Sequence, residues 1–228
     1  MWSQLISLLN LVDQPEKSNE VFQRWFNPYD MPVVEDVFAR MWDAVEPPKT
    51  NSKRDNTPKV WITSRDIGDK CGSGSPLAYT GSFGALPDDI RKKMVSQYSM
   101  SNQDCIIHFC EKPLDYILER QFVDCDEIPL KRMSFSVAGN ATATLLHELM
   151  LDDVFTGGSG EGKEIYDPYQ CSAVTDDCSS GTAVRNPQNY QYYAANRYWN
   201  NKCSFDLKAP APKPPPKSDA LKQYVVGT

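Results

Sequence analysis

Apolar residues recur at helical spacing from Gln4 to about Val45: Leu5, Leu8 and Leu9, then Val21, Phe22 and Trp25, then Val34, Val37, Phe38, Met41 and Trp42. Positions three and four apart share one helical face, so these runs predict two or three amphipathic helices, with breaks at Pro15, Pro28 and Pro32. A polar linker follows from Pro47 to Pro58. The period then shortens. Val60-Trp-Ile-Thr63, Leu77-Ala-Tyr-Thr80 and Cys105-Ile-Ile-His-Phe-Cys110 are short β-rich runs bounded by Gly, Pro, Asp and Asn. Asp88 to Tyr98 and Leu114 to Phe122 read as helices between and after them. Val137 to Leu151 is a further helix, followed by the Gly-rich acidic loop TGGSGEGKE and a helix from about Pro187 to Asn200. KAPAPKPPPK near the end favours extended polyproline conformation or disorder. The order predicts an α+β protein in three parts: an N-terminal helical segment packed on the core (1–46), a main domain (58–205) and a Pro-rich tail (206–228).

Composition narrows the function classes. The chain has 228 residues and a formal charge of −6, with no concentrated basic stripe, which argues against nucleic acid as a partner. No apolar run approaches the roughly 20 residues that span a bilayer, so no membrane partner is expected. The opening MWSQLISLLNLV is apolar but lacks a basic leading region and a small-residue cleavage site, and is not read as a signal peptide. Seven cysteines without any CxxC pair point to disulfides and an oxidising, extracellular compartment rather than a zinc ribbon. Three bridges and one free thiol are expected, with Cys171–Cys178 the favoured short loop. Asn140-Ala-Thr142 is a glycosylation sequon.

The candidate chemistry lies at His147-Glu148. In H-E-x-x-H, imidazoles at i and i+4 on one helical face grip a zinc ion and the glutamate activates a bound water. Here i+4 is Leu151, which binds no metal, and Asp152 at i+5 turns roughly 140° away from His147. His108 is the only other histidine; in an apolar strand it reads as packed rather than ligating. His147 has a bland reading too, as a satisfied core histidine on an amphipathic helix. The stripe Tyr190, Tyr193, Ala194, Arg197 and Tyr198 reads as core and rim packing.

Taken in order, Val60-Trp-Ile-Thr63, Cys71-Gly-Ser-Gly-Ser-Pro-Leu-Ala-Tyr-Thr80, Ile106-Ile-His-Phe-Cys110, Thr144-Leu-Leu-His-Glu148, Tyr166 and Asn186-Pro-Gln-Asn-Tyr-Gln-Tyr-Tyr-Ala-Ala-Asn196 resemble the fungal deuterolysin family of secreted zinc endopeptidases, the aspzincins. The resemblance covers roughly Pro58 to Cys203. It implies a metzincin-like fold: a small mixed sheet, an active-site helix and a C-terminal helical part. It makes His147 the first metal ligand, Glu148 the general base and Tyr166 a transition-state aid. It also puts Leu151 where the second histidine belongs and Lys163 at the aspartate ligand, beside Glu161, Gly162 and Glu164, with a register that can slip by one.

Catalytic zinc takes three protein ligands and an open water position, so the expectation is a secreted, monomeric pseudoprotease that carries no cofactor and holds a protein or peptide partner in its former substrate cleft. Without metal, Glu148 is expected to pair with Lys163 or His147. Two alternatives remain: an active metalloendopeptidase with zinc on atypical ligands, Glu161 or Glu164 supplying a carboxylate, and a zinc-scavenging surface antigen.

Overall fold

The computed structural model describes residues 9, 12, 20–45, 60–63, 66, 70–72, 78–101, 104–110, 125–127, 132–134, 141–151, 164–176, 181–205 and 207–210. The expected helix at 114–122, the linker, the glycosylation sequon's Asn140, Asp152, the Gly-rich loop through Lys163, Cys178 and the tail beyond residue 210 lie outside them.

Helix formation follows the apolar periodicity. α1 (Glu20–Trp25) buries Val21, Phe22 and Trp25, and α2 (Met31–Val45) buries Met31, Val34, Val37, Phe38, Met41 and Val45 along one face. Pro32 does not break α2. It falls in the first turn, where a missing N–H costs nothing. Asn27 separates the two helices by capping a short 3₁₀ turn at Pro28–Asp30, its side chain accepting from the Tyr29 N–H.

Among the described residues, three strands form one sheet in the order β1-β3-β2. β1 (Val60–Thr63) runs parallel to β3 (Cys105–Phe109), and β2 (Ala78–Ser82) runs antiparallel to it. Every β3 residue is buried, which is why the central strand reads as a continuous apolar run rather than an alternation. α3 (Asp88–Tyr98) lies between β2 and β3 in the chain and ends on Ser99 in the left-handed region.

α4 (Ala141–Met150) crosses the sheet against β2 and β3 and is buried from Thr142 onward. Alanines and threonines in its first turns permit close approach, and Leu145, Leu146, Leu149 and Met150 fill the core. α5 (Pro168–Ala173) and α6 (Thr182–Arg185) lead into α7 (Pro187–Cys203), the longest described helix. α7 packs on α4 and on α1. One core therefore runs from α1 and α2 through α7 and α4 to the sheet, and a smaller cluster of Phe83, Met100 and Ile106 is separate from it.

An amide ladder along α7 fastens these elements. Asn196 Oδ1 accepts from Trp25 Nε1 at 3.1 Å and from Arg24 Nη1 at 2.9 Å, while Asn189 Nδ2 donates to the Trp25 and Cys171 carbonyls at 2.7 and 2.9 Å. Around it, Phe22, Phe26 and Phe38 meet Tyr190 and Tyr193 at centroid distances of 4.8–6.0 Å, mostly edge to face. The Tyr190 and Tyr193 rings do pack in the core.

The cysteine expectations need correction. The bridges among the described residues are Cys71–Cys110 and Cys125–Cys203. Cys171 is a buried free thiol and so is Cys105, so neither the Cys171–Cys178 loop nor a third bridge forms. Cys171 points inward because its helix is fixed by the Asp167 cap and by its own Sγ contact to the Ile165 carbonyl at 3.0 Å. Two disulfides fit an oxidising rather than a cytosolic environment. Among the described residues, no helix is long and apolar enough to cross a membrane.

Candidate functional site

His147 and Glu148 line a cleft of about 460 Å³ between the C-terminal end of α4, the edge strand β2, the segment before α5 and the first turns of α7. Leu151, Glu164, Tyr166, Gln188, Gln191 and Lys70 share its walls. The helix ends here: the Leu151 N–H bonds the Glu148 carbonyl at 3.2 Å in a tightened last turn, and Leu151 lines the cleft.

The wall opposite α4 is held by α7. Asn186 Oδ1 accepts from the Ile165 N–H at 3.1 Å and Asn186 Nδ2 donates to the Ile165 carbonyl at 3.0 Å; Tyr192 Oη donates to the Tyr166 carbonyl at 2.7 Å. These bonds fix the backbone of 165–166 and deliver the flanking side chains to His147. Glu164 Oε2 stands 3.5 Å from His147 Nε2, and Tyr166 donates its hydroxyl to the same carboxylate oxygen. The Tyr166 ring lies over the imidazole with centroids 5.8 Å apart, yet is half exposed at the cleft mouth.

Among the described residues, Glu148 has a hydrogen-bond partner that the sequence does not point to, and His147 acts on it electrostatically. The Glu148 carboxyl Oε2 meets Thr80 Oγ1 at 2.9 Å, and the same hydroxyl bonds the Glu148 carbonyl at 2.7 Å. Burial pushes the Glu148 carboxyl above its usual range, against the opposing pull of His147 and of the Thr80 hydrogen bond. The carboxylate beside His147 is Glu164, one residue beyond the position assigned to the aspartate ligand; Lys163 lies outside the described residues.

His108 does not join His147. In the β2–β3 register it pairs with Tyr79, and its ring stacks on that tyrosine at 4.5 Å. Successive strand residues face opposite sides of a sheet, so Tyr79 and His108 lie on the side away from Thr80 and Glu148. Tyr79 Oη donates to Asp66 Oδ1 at 2.7 Å, and this bond holds the Asp66 carboxyl below its usual range, aided by the Cys71 and Lys70 backbone N–H groups.

No family model, no curated protein and no solved structure matches this chain. The donor set must therefore speak for itself. Among the described residues, no three His, Cys, Asp or Glu side chains stand together as a metal cluster. A ligating histidine normally donates its second ring N–H to an outer acceptor; His147 Nδ1 is buried with no partner. Among the described residues beside Leu151, one imidazole and one carboxylate meet, His147 and Glu164, and these two alone do not make a three-ligand zinc centre.

Thr80, Gln188 and Lys70 are site residues that the sequence reading did not single out. Thr80 had one available signal, its place on the β2 face opposite to Tyr79. Gln188 and Gln191, hydrogen-bonded to each other at 2.7 Å, sit one helical turn apart, and both are buried.

Proposed function

We propose that this chain is a secreted protein of deuterolysin-like, metzincin-type architecture whose zinc site has degenerated, leaving the cleft as a binding groove for a peptide or protein segment. The observation that carries the reading is Leu151 in the cleft wall beside His147 and Glu164. Zinc-peptidase chemistry needs an ion that lowers the pKa of bound water from near 16 to about 7, and a two-donor set holds such an ion weakly. The remaining features suit binding. An edge strand borders the cleft, and tyrosines with a polar handle line it at Tyr79 and Tyr166. Edge strands receive extended peptides through main-chain hydrogen bonds, with side-chain pockets adding specificity.

Zinc content and proteolysis test this reading together. Protein dialysed after zinc loading should retain well under one ion per chain and leave casein uncut. Stoichiometric zinc with chelator-sensitive cleavage would overturn it.

One observation favours a second reading. Glu164 stands against His147 Nε2 and is a carboxylate ligand of the type found in catalytic zinc centres. An active endopeptidase with an atypical ligand set would use that pair, and it would lose zinc on Glu164→Gln.

A further inference from the structure

The cleft wraps around the edge strand. Thr80 points from β2 towards Glu148 on one side, and Tyr79 points to the other, where Lys70 reaches the cleft rim. The two cleft carboxylates are engaged, Glu148 by the Thr80 hydroxyl and Glu164 by the Tyr166 hydroxyl and His147. Lys70 is different. Its ammonium lies 5.1 Å from the centroid of the Tyr79 ring, and no carboxylate pairs with it among the described residues. Asp66, four residues earlier, is occupied: it accepts from the Lys70 N–H at 3.0 Å, the Cys71 N–H at 2.8 Å and the Tyr79 hydroxyl at 2.7 Å; Asp69, next to Lys70 in sequence, lies outside the described residues.

The same contacts restrain Lys70. Its backbone is fixed by Asp66, its neighbour Cys71 is bridged to Cys110 at the end of β3, and its cation is drawn to the face of a ring that is itself stacked on His108. A lysine stem normally loses much rotamer freedom on binding; here part of that loss precedes the ligand.

We propose that Lys70 on Tyr79 forms an anion subsite at the cleft rim, across the edge strand from Glu148, that selects an Asp or Glu side chain on the bound peptide. This rests on the binding-groove reading. A cation held beside a β edge, on the far side from both cleft carboxylates, complements an acidic residue of a strand laid along β2 and is out of place for a basic one.

An oriented library of N-acetylated, C-amidated octapeptides, passed over the immobilised full chain, tests the proposal. The retained pool should be enriched in Asp or Glu at one position. For a retained acidic peptide, replacing that residue by its amide should weaken binding about threefold to fivefold, a surface ion pair's worth, and the preference should fade in high salt. Lys70→Met should bind acid and amide peptides equally, and Lys70→Glu should disfavour the acid. Lys70 is exposed, so these variants should fold. A pool retained without acidic enrichment, or a preference that survives Lys70→Met, overturns the subsite and leaves the groove standing. A chain that retains no peptide overturns the groove and the subsite with it.

Discussion

Thr80 Oγ1 lies 2.7 Å from the carbonyl oxygen of Glu148 and 2.9 Å from its carboxyl Oε2. A hydroxyl carries one proton and so donates to one of these oxygens at a time. Burial favours the neutral acid and outweighs His147 and the Thr80 hydrogen bond, which favour the charged form. A glutamate poised as general base for a metal-bound water would be ionised, and burial works against ionisation here.

Stability should therefore respond to pH in a definite sense. The Glu148 carboxyl is raised in the folded state above its ordinary value of 4.5. Its contribution is fully present below that unfolded value and is lost as pH rises through the folded one. Glu148→Gln, whose amide donates to Thr80 at every pH, should melt above the parent at neutral and alkaline pH, with the gap closing towards pH 4. Thr80→Val should cost about 1–3 kcal/mol by stranding buried polar groups. Melting temperatures of the three proteins across pH 4 to 9 check this; parallel curves would show that Glu148 is ionised in the cleft throughout.

Restoring one ligand should be enough to capture zinc, because Glu164 already stands at His147. Leu151→His would complete a His, His, Glu set of the kind that catalytic zinc sites use. Saturating zinc at about 100 times the dissociation constant should then stabilise the variant by about 2.7 kcal/mol. Glu164→Gln in the same background should abolish the shift. Differential scanning calorimetry with and without zinc, on parent and both variants, measures it. A variant that gains no zinc-dependent stability would mean that Leu151 and His147 do not share a ligand face.

The α+β class and several element bounds were legible and the site only half so, for a physical reason. Val60–Thr63 and Asp88–Tyr98 are read to the residue because their bounding turns and caps are local. The helix from Pro187 was read short by three residues, since Lys202 and Cys203 carry no stop signal before Ser204 adopts the left-handed region. His147 and Glu148 announce themselves by motif. Their partners do not: Thr80 reaches Glu148 across 68 residues of chain, and Glu164 reaches His147 through a backbone that Asn186 and Tyr192 hold. The cysteines failed on the same ground, because bridge geometry is set by tertiary placement; Cys125–Cys203 spans 78 residues.

Redox behaviour follows from that placement. Thiol labelling of the folded protein should miss Cys105 and Cys171, both buried, and burial pushes the Cys171 thiol up to about 12, so it makes little thiolate at neutral pH. Denaturation without reductant should expose both. Reduction of Cys71–Cys110 and Cys125–Cys203, which close loops of 39 and 78 residues, should cost ~4 kcal/mol each at the chain-entropy limit. Mass spectrometry after alkylation, paired with urea melts before and after reduction, reads both effects. Labelling of Cys71 or Cys125 in the unreduced, unfolded chain would refute the pairing.

Asn196 should be the costliest polar residue outside the cleft. It is fully buried on α7, and its Oδ1 accepts from two donors of α1, Trp25 Nε1 and Arg24 Nη1, while its Nδ2 donates to Asn200 at 3.1 Å. Asn200 in turn accepts from the Leu207 N–H at 3.0 Å, and Arg24 also bonds the Leu207 carbonyl. The N-terminal helix and the segment after α7 thus meet at one amide. Replacing it by Ala strands the buried Trp25 N–H and leaves Arg24 with fewer acceptors, at about 1–3 kcal/mol per unsatisfied group. Asn196→Ala should lose roughly 2–5 kcal/mol on that scale. Trp25→Phe in the same background should recover part of the loss, because it removes the stranded donor and keeps the ring. A double-mutant cycle in urea gives the coupling directly. Additive losses would show that Trp25 and Asn196 stabilise the fold independently and that packing alone holds α1 against α7.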